Sequence, residues 1–250
     1  DSFKSLPTAN TLLAGGEGLS HDHDGSFSST TTASFSLDMA IGAVDGGSST
    51  TDDAFNAGYG FQIDLNTSFT GEDSLDVSID AGTSSQVGYE ELDLNDESES
   101  LTVDGISYTF PVGDNATVFV GDSVPGSSLY NTACVYGGQT VHLDDCGNHG
   151  AAMDTGIAGK TAAGASYDFG NGWTAALGYE GQGAGTSGLM TKAGRDIWGG
   201  QVTYTGDNYG VSVTYGLIES STTEEDTYTA FNGYYTPEGL PSISVGYEIG

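Results

Sequence analysis

Four consecutive side chains near the start of the chain are of types that bind metal ions. Imidazole nitrogens and carboxylate oxygens alternate in the run His21-Asp22-His23-Asp24. In an extended segment, neighbouring side chains point to opposite faces, so at most two of the four can reach one ion. We therefore interpret the run as part of a solvated lead-in segment, residues 1–26, and predict no metal site.

Two short motifs resemble parts of enzyme sites but lack the residues that would complete them. Gly121-Asp122-Ser123 has the form of a nucleophile segment, yet no matching histidine and aspartate pattern accompanies it, and Pro125 favours a turn. Gly181, Gly183 and Gly188 lack the preceding parallel strand and the following helix of a dinucleotide loop. Carboxylates are too numerous for a pair of them to mark a catalytic site. We predict that the protein is not an enzyme and uses no cofactor.

The two cysteines, Cys134 and Cys146, lie in a glycine-rich segment without alternating hydrophobicity. In an oxidising compartment they would form one disulfide that closes a short loop, worth about 3 kcal/mol on the chain-entropy model. Zinc is the alternative and would need further ligands, which nearby come only from His142, Asp144, Asp145 and His149. We predict a disulfide-containing loop over residues 121–160.

Acidic residues dominate the charge of this 250-residue chain. Thirty-five Asp and Glu against four Lys and Arg give a formal net charge of −31. Such a surface repels phosphate backbones and attracts cations, so we exclude nucleic acid as a partner. No stretch approaches the apolar length of a membrane helix, and the N-terminus lacks a signal-peptide pattern.

The composition favours strands joined by turns. Forty glycines and 14 tyrosines disfavour helices and suit pleated surfaces. Residues 163–179 show the pattern most clearly, with two alternating runs around the turn sequence Gly170-Asn171-Gly172. One set of alternate positions carries Gly, Ser, Thr and Asp, and the other carries apolar and aromatic residues: Ala163, Ala165, Tyr167, Phe169, Trp173, Ala175, Leu177 and Tyr179.

The same hairpin design recurs from Phe27 to the end of the sequence, which predicts one all-β domain over residues 27–250. A change of alternation at Gly105 predicts a β-bulge in the strand that ends near Phe110. The acidic runs at residues 90–99 and 219–226 are predicted to be solvent-exposed loops. Residues 121–160 are expected to cover the mouth of a barrel or to fold inward and narrow it.

Two architectures fit this alternation. The polar positions are poor in Lys and Arg and rich in small residues, and aromatic residues recur at strand ends, as in the interfacial girdles of membrane barrels. These features predict an antiparallel up-and-down transmembrane β-barrel. The alternative is a soluble β-sandwich, in which a second sheet covers the apolar face.

Five ordered blocks of the chain resemble the barrel of cyanobacterial outer-membrane porins, the OprB-like "iron uptake porin" group that carries an S-layer-homology domain. The resemblance spans most of residues 27–250, and its blocks are LNTSFTGEDSL (65–75), SYTFPVGDNATVFVG (107–121), GASYDFGNGWTAALGY (164–179), QVTYTGDNYGVSVTYG (201–216) and PSISVGYEIG (241–250).

This resemblance implies a porin of the bacterial outer membrane that lets inorganic ions and small solutes, carbohydrates among them, diffuse passively. It also implies iron uptake, a homotrimer and a full barrel of about 16 strands, of which this chain would lack the C-terminal part. Binding to peptidoglycan-linked polymer belongs to the S-layer-homology domain, which these residues do not include. Acids stand where family members carry basic residues near Asp76 to Asp80.

We therefore predict a porin that favours cations, as rings of carboxylates do in other pores. Asp64, Asp80, Asp168 and Glu248 lie at polar positions and are predicted to face the lumen. Lys192 and Arg195 are predicted as counter-charges of a constriction. The alternative function is that of a secreted acidic β-sandwich, acting as an adhesin or a surface-layer protein.

Overall fold

The computed structural model describes residues 30–42, 56–83, 100–135, 148, 150–153, 161–182, 188–221 and 224–250. The predicted lead-in segment with His21 to Asp24, and the acidic run at 90–99, lie outside these residues. The strands are β1 (Thr31–Gly42), β2 (Asn56–Thr67), β3 (Ser74–Gly82), β4 (Thr102–Val112), β5 (Ala116–Asp122), β6 (Thr161–Gly170), β7 (Trp173–Gly181), β8 (Asp196–Thr205), β9 (Tyr209–Ser221), β10 (Glu224–Tyr235) and β11 (Ile243–Ile249). None of the described segments is a helix long and apolar enough to cross a membrane.

Every strand pairs antiparallel with its neighbours in sequence, in the order β1 to β11. The predicted all-β, up-and-down antiparallel fold is therefore confirmed for the described part of the chain. Among these residues, β1 and β11 make no contact with each other, so the sheet has two open edges. Because successive strands alternate in direction, β1 and β11 run the same way.

The connections between strands differ in length at the two ends of the sheet. One end has short turns, at residues 68–73, 113–115, 171–172, 206–208 and 236–242. The connections at the other end are at residues 43–55, 83–101, 123–160, 182–195 and 222–223, and the first four of these are longer. Short turns on one side and longer loops on the other are typical of outer-membrane barrels.

The predicted turn between β6 and β7 is confirmed. Gly170, Asn171 and Gly172 all have positive φ, at 76°, 54° and 84°, which suits a tight hairpin turn. A Cβ added to Gly172 would overlap the carbonyl oxygen of Thr205 on β8, so this position needs glycine for space as well as for φ.

The predicted bulge in β4 is also confirmed. Ser78 pairs with Gly105 and Ile79 pairs with Val103, which leaves Asp104 as the extra residue. The bulge restores the alternation, and Tyr108 then lies on the same face as its partner Leu75.

The strand register keeps one face of the sheet apolar from β1 to β11; we call it the apolar face. Phe35 pairs with Ile63 at one edge, and Phe231 pairs with Tyr247 at the other. Side chains on this face are exposed: Tyr167 is 47% exposed, Trp173 49%, Val213 47% and Tyr215 49%. In the described residues no second sheet covers these side chains.

The prediction of an acidic loop at residues 219–226 is wrong. Glu219 pairs with Glu225 and Ile218 with Asp226, so β9 and β10 continue as a hairpin and leave residues 222–223 as the link. Backbone pairing in a ladder does not depend on side-chain charge, and Glu224, Glu225 and Asp226 remain exposed to solvent.

Candidate functional site: the polar face and its covering segment

The opposite face, which we call the polar face, is covered over several strands by part of the connection between β5 and β6. The described part of this connection is residues 123–135, 148 and 150–153, which we call the covering segment. Its hydrogen bonds reach side chains of β7, β8, β9 and β11. One of the two placements predicted for this loop, folding inward, therefore fits its position against the polar face.

The first part of the covering segment is held by Glu180 of β7. The backbone N–H of Gly126 donates to Glu180 Oε1 at 2.6 Å, and Glu180 is buried. A Cβ added to Gly126 would lie 2.7 Å from the carbonyl oxygen of Tyr179, so glycine permits the close approach of the two backbones. The Ser127 hydroxyl donates to the carbonyl oxygen of Ala152 and joins the two parts of the segment.

The middle of the covering segment crosses the central part of β8 and β9. The Thr203 hydroxyl donates to the carbonyl oxygen of Asn131 at 2.8 Å, and the N–H of Ala133 donates to Ser212 Oγ at 3.0 Å. Gln201 Nε2 also donates to the hydroxyl of Thr132. The segment thus extends from the long-connection end toward the mid-height of the sheet.

The far part of the segment is held by Glu248, one of the residues predicted to face the lumen. Its two carboxylate oxygens accept hydrogen bonds from the N–H groups of Gly150, at 3.0 Å, and Ala151, at 2.8 Å. The N–H of Val135 donates to Ser244 Oγ, also on β11. Carboxylates on β7 and β11 therefore hold opposite parts of the segment.

Apolar side chains pack where the covering segment meets the long-connection end of the polar face. Met153 of the segment packs with Ile197 and Ile218, which are fully buried, and Phe119 of β5 is fully buried too. Full burial of such a side chain contributes about 1.5–3 kcal/mol. Tyr130 packs against this cluster, and burial, followed by the charge of Glu180, raises the pKa of its hydroxyl.

The polar face of β2 to β4 carries carboxylates within hydrogen-bonding networks of hydroxyls and amides. Asp64 accepts from Gln62 Nε2 at 2.7 Å and from Ser78 Oγ at 2.8 Å. Asp80, on the neighbouring strand, accepts from Thr102 Oγ1 at 3.0 Å and is buried. Asp76, which was not among the residues predicted to face the lumen, accepts from Asn66 and Ser74. None of the described strands contains a Lys or Arg.

The structure places the other predicted site residues apart from this group. Asp168 accepts from the N–H of Gly170 and borders a small cavity with Asn131 of the covering segment. Lys192 is exposed in the connection before β8, and Arg195 Nε donates to the carbonyl oxygen of Glu219. The pore-lining roles of these residues stay predictions.

Cys134 lies in the covering segment, two residues after Thr132, whose carbonyl oxygen accepts its N–H at 2.8 Å. Cys146 lies outside the described residues, as do His142, Asp144, Asp145 and His149. The disulfide and its zinc alternative therefore stay predictions. Among the described residues, no three His, Cys, Asp or Glu side chains are grouped to hold a metal ion.

Sequence reasoning missed the residues that hold the covering segment, notably Glu180 and Ser212. One signal was present: Phe119, Ile197 and Ile218 are large apolar residues at positions of the polar face. Apolar exceptions to a polar alternation indicate that something packs over them.

No protein-family model matches the chain, and the search of curated proteins finds no match. Among solved structures, the chain is similar to a triple mutant of Rh. blastica porin, with 11% identity, a TM-score of 0.28, and coverage of 88% of this chain and 93% of the other. A structure described as "Asymmetric conductivity of engineered proteins" has 9% identity and a TM-score of 0.27, with the same coverage. Another triple mutant, of Rhodopseudomonas blastica porin, has 10% identity and a TM-score of 0.26, again covering 88% and 93%.

Proposed function

We propose that this chain forms the wall of a transmembrane β-barrel in a bacterial outer membrane and acts as a porin. The observation that carries the proposal is one up-and-down sheet with an exposed apolar face and a polar face covered by its own connection. Extended apolar surfaces of this kind mark contact with a membrane or with another protein.

The sandwich alternative lacks its second layer in the described part of the chain. All eleven strands belong to one sheet, whereas a sandwich needs two sheets whose apolar faces meet. Tyr167, Trp173, Val213 and Tyr215 would be the core of such a sandwich, and each is about half exposed. This exposure favours lipid as their surroundings.

A sheet in lipid must close, because unpaired strand edges are costly there. Since β1 and β11 run in the same direction, antiparallel closure requires an odd number of further strands between them. Five further strands would give the barrel of about 16 strands that the family resemblance implies.

The covering segment is proposed to narrow the passage. Hydrogen bonds fix it across the central part of β8 and β9, whereas the carboxylate of Asp64 on β2 is hydrogen-bonded within the sheet, to Ser78 on β3. Water and solutes would then pass between the segment and the acidic strands.

Cation preference is proposed from the charges on those strands. Asp64, Asp76 and Asp80 lie on one face without a basic residue in any described strand. Iron uptake, carbohydrate passage and a homotrimer remain proposals that rest on the family resemblance. A Cys134–Cys146 disulfide is proposed to restrict the connection that contains the covering segment.

Planar-bilayer recording of the purified protein tests this function. We expect the conductance to increase in steps. In a salt gradient, the sign of the reversal potential should show that cations permeate more readily than anions. Asp64→Asn combined with Asp80→Asn should shift that potential toward zero, whereas Glu238→Gln, an exposed residue in the connection before β11, should not. Absence of conductance would contradict the proposal that the protein forms a channel. A preference for anions would contradict only the proposed cation preference.

A further inference from the structure

A small cavity lies on the polar face, between the covering segment and the end of β5 to β8 that has the short turns. It encloses about 140 Å³, room for roughly four or five water molecules at the volume each takes in the liquid. Leu129 and Asn131 of the covering segment form one wall. The sheet and its β4–β5 turn form the others, and the polar side chains they contribute are Asn115, Thr117, Ser166, Asp168, Thr174 and Gln201.

Three hydroxyl groups at this cavity are available to a ligand. Pairing across the ladders sets them side by side, with Thr117 opposite Ser166 and Thr174 opposite Asp168. The hydroxyls of Thr117, Ser166 and Thr174 form no hydrogen bond with any described residue. Each can therefore donate to, or accept from, a molecule in the cavity.

Asp168 is the only charged side chain among the described residues that line the cavity. Its Oδ1 accepts from the N–H of Gly170 at 2.7 Å, and its Oδ2 accepts from no described residue. The backbone carbonyl of Asp168 accepts from Asn115 Nδ2 at 2.8 Å, which holds the two turns together beside the cavity. Asp168 and Asn131 are exposed, so an ion in solution can reach the carboxylate.

The charge and width of the cavity favour a cation that keeps its water shell. The Asp168 carboxylate repels anions, and the acidic chain attracts cations. A bare Ca²⁺ needs about six to eight oxygens at about 2.3–2.6 Å, and a cavity wide enough for several waters keeps its opposite walls too far apart for that. Mg²⁺ usually retains several waters and binds through one or two carboxylates, which matches one carboxylate among neutral polar groups.

We propose that this cavity binds one Mg²⁺ ion that keeps most of its waters. The Asp168 carboxylate supplies the charge, and the waters of the ion donate hydrogen bonds to Asn131 and to the hydroxyls of Ser166 and Thr174. The ion thereby links the covering segment to β6 and β7. Its affinity is about millimolar, because a single carboxylate provides the attraction. The inference does not depend on the proposed function, since the polar face meets water whether or not the apolar face meets lipid.

The test is amide NMR of the isotope-labelled protein in neutral detergent micelles, with magnesium chloride added at constant ionic strength. The reporter is the N–H of Gly170, which donates to Asp168, and the matched control is the N–H of Thr70, which donates to Asp73 in the β2–β3 turn. We expect the Gly170 resonance to shift to saturation, and the side-chain amide of Asn131 to follow with the same midpoint. The Thr70 resonance should not saturate in this range.

A second probe tests whether the ion keeps its waters. Hexaamminecobalt(III) is close in size to hydrated Mg²⁺ and does not exchange its ligands, so it should move the Gly170 resonance in the same direction. A saturating shift with magnesium chloride and none with hexaamminecobalt(III) would show direct coordination and overturn the hydrated form.

Three variants test the residues. Asp168→Asn retains an oxygen that can accept from Gly170, and it should weaken Mg²⁺ binding about tenfold, because affinity follows the charge of the ligands. Thr174→Val should weaken it about threefold, the effect of losing one hydrogen bond. Asp207→Asn, exposed in the β8–β9 turn, changes the net charge equally and should leave the midpoint unaltered. An unresponsive Gly170 resonance, or a midpoint that Asp168→Asn does not change, would overturn the site.

Discussion

The N–H of Gly126 donates to the carboxylate of Glu180 at 2.6 Å, joining the connection after β5 to the polar face of β7. Glu180→Ala leaves this N–H without its acceptor, which costs about 1–3 kcal/mol when the donor stays buried. We expect the covering segment to loosen and the single-channel conductance to increase.

Glu180→Gln is the matched variant, because its side-chain carbonyl can still accept from Gly126. Its conductance should lie between those of the wild type and Glu180→Ala. Glu238→Ala, an exposed change, is the control and should leave conductance unaltered. A destabilised Glu180→Ala protein with wild-type conductance would show that the segment does not limit the passage.

The packing of the covering segment depends on Ile218, which is fully buried on the polar face. Ile218→Ala should lower the free energy of unfolding by about 2–5 kcal/mol, because it leaves a cavity beside Met153 and Ile197. Ile243→Ala, on the apolar face and 61% exposed, should change it by about 0.5 kcal/mol. Denaturant unfolding in micelles measures both, and equal losses would contradict the assignment of the two faces.

Two glycines with positive φ should differ sharply in their tolerance of alanine. Gly71 has a φ of 90° and open space around an added Cβ, so Gly71→Ala should cost about 1–2 kcal/mol from left-handed strain alone. Gly172→Ala adds overlap with Thr205 O and should cost clearly more. Thermal unfolding of the two variants measures the difference. Similar losses would argue against the close contact between Gly172, in the β6–β7 turn, and Thr205 on β8.

The turn between β2 and β3 should be sensitive to acid through Asp73. Its Oδ1 accepts from the N–H and the hydroxyl of Thr70 at 2.7 Å each, and its Oδ2 from the Tyr108 hydroxyl. The Thr70 hydroxyl is the main cause that holds the pKa of Asp73 well below its usual value, against the opposing effect of burial.

Because the folded-state pKa is depressed, the ionised carboxylate stabilises the fold above the unfolded value of about 3.9, and this stabilisation is lost as the pH falls below it. Asp73→Asn should therefore be less stable than wild type by a constant amount above about pH 5, and the difference should shrink below about pH 4. Unfolding at pH 7 and pH 3 measures it. Asp114→Asn, in an exposed turn, is the control, and a deficit that grows toward low pH would refute the assignment.

Local sequence patterns were sufficient to predict the strands but not the contacts of the covering segment. The alternation around Gly170-Asn171-Gly172 and the change at Gly105 are local signals, and the structure has a hairpin and a bulge at these places. The bond between Gly126 and Glu180 joins residues far apart in sequence, and no local period encodes such a pairing. The acidic composition of residues 219–226 led to the wrong prediction of a loop, because acidic side chains can remain solvated on paired strands.

The proposed environment of the two faces can be measured on β1, where the structure leaves both faces exposed. Single cysteines at Phe35, Ser36, Leu37 and Asp38, in a background with Cys134→Ser and Cys146→Ser, would carry spin labels in the protein reconstituted in liposomes. We predict that labels at 35 and 37 collide with oxygen dissolved in lipid, and that labels at 36 and 38 collide with a water-soluble nickel complex. Labels at 35 and 37 shielded from both reagents would contradict lipid contact and indicate a protein layer over the apolar face.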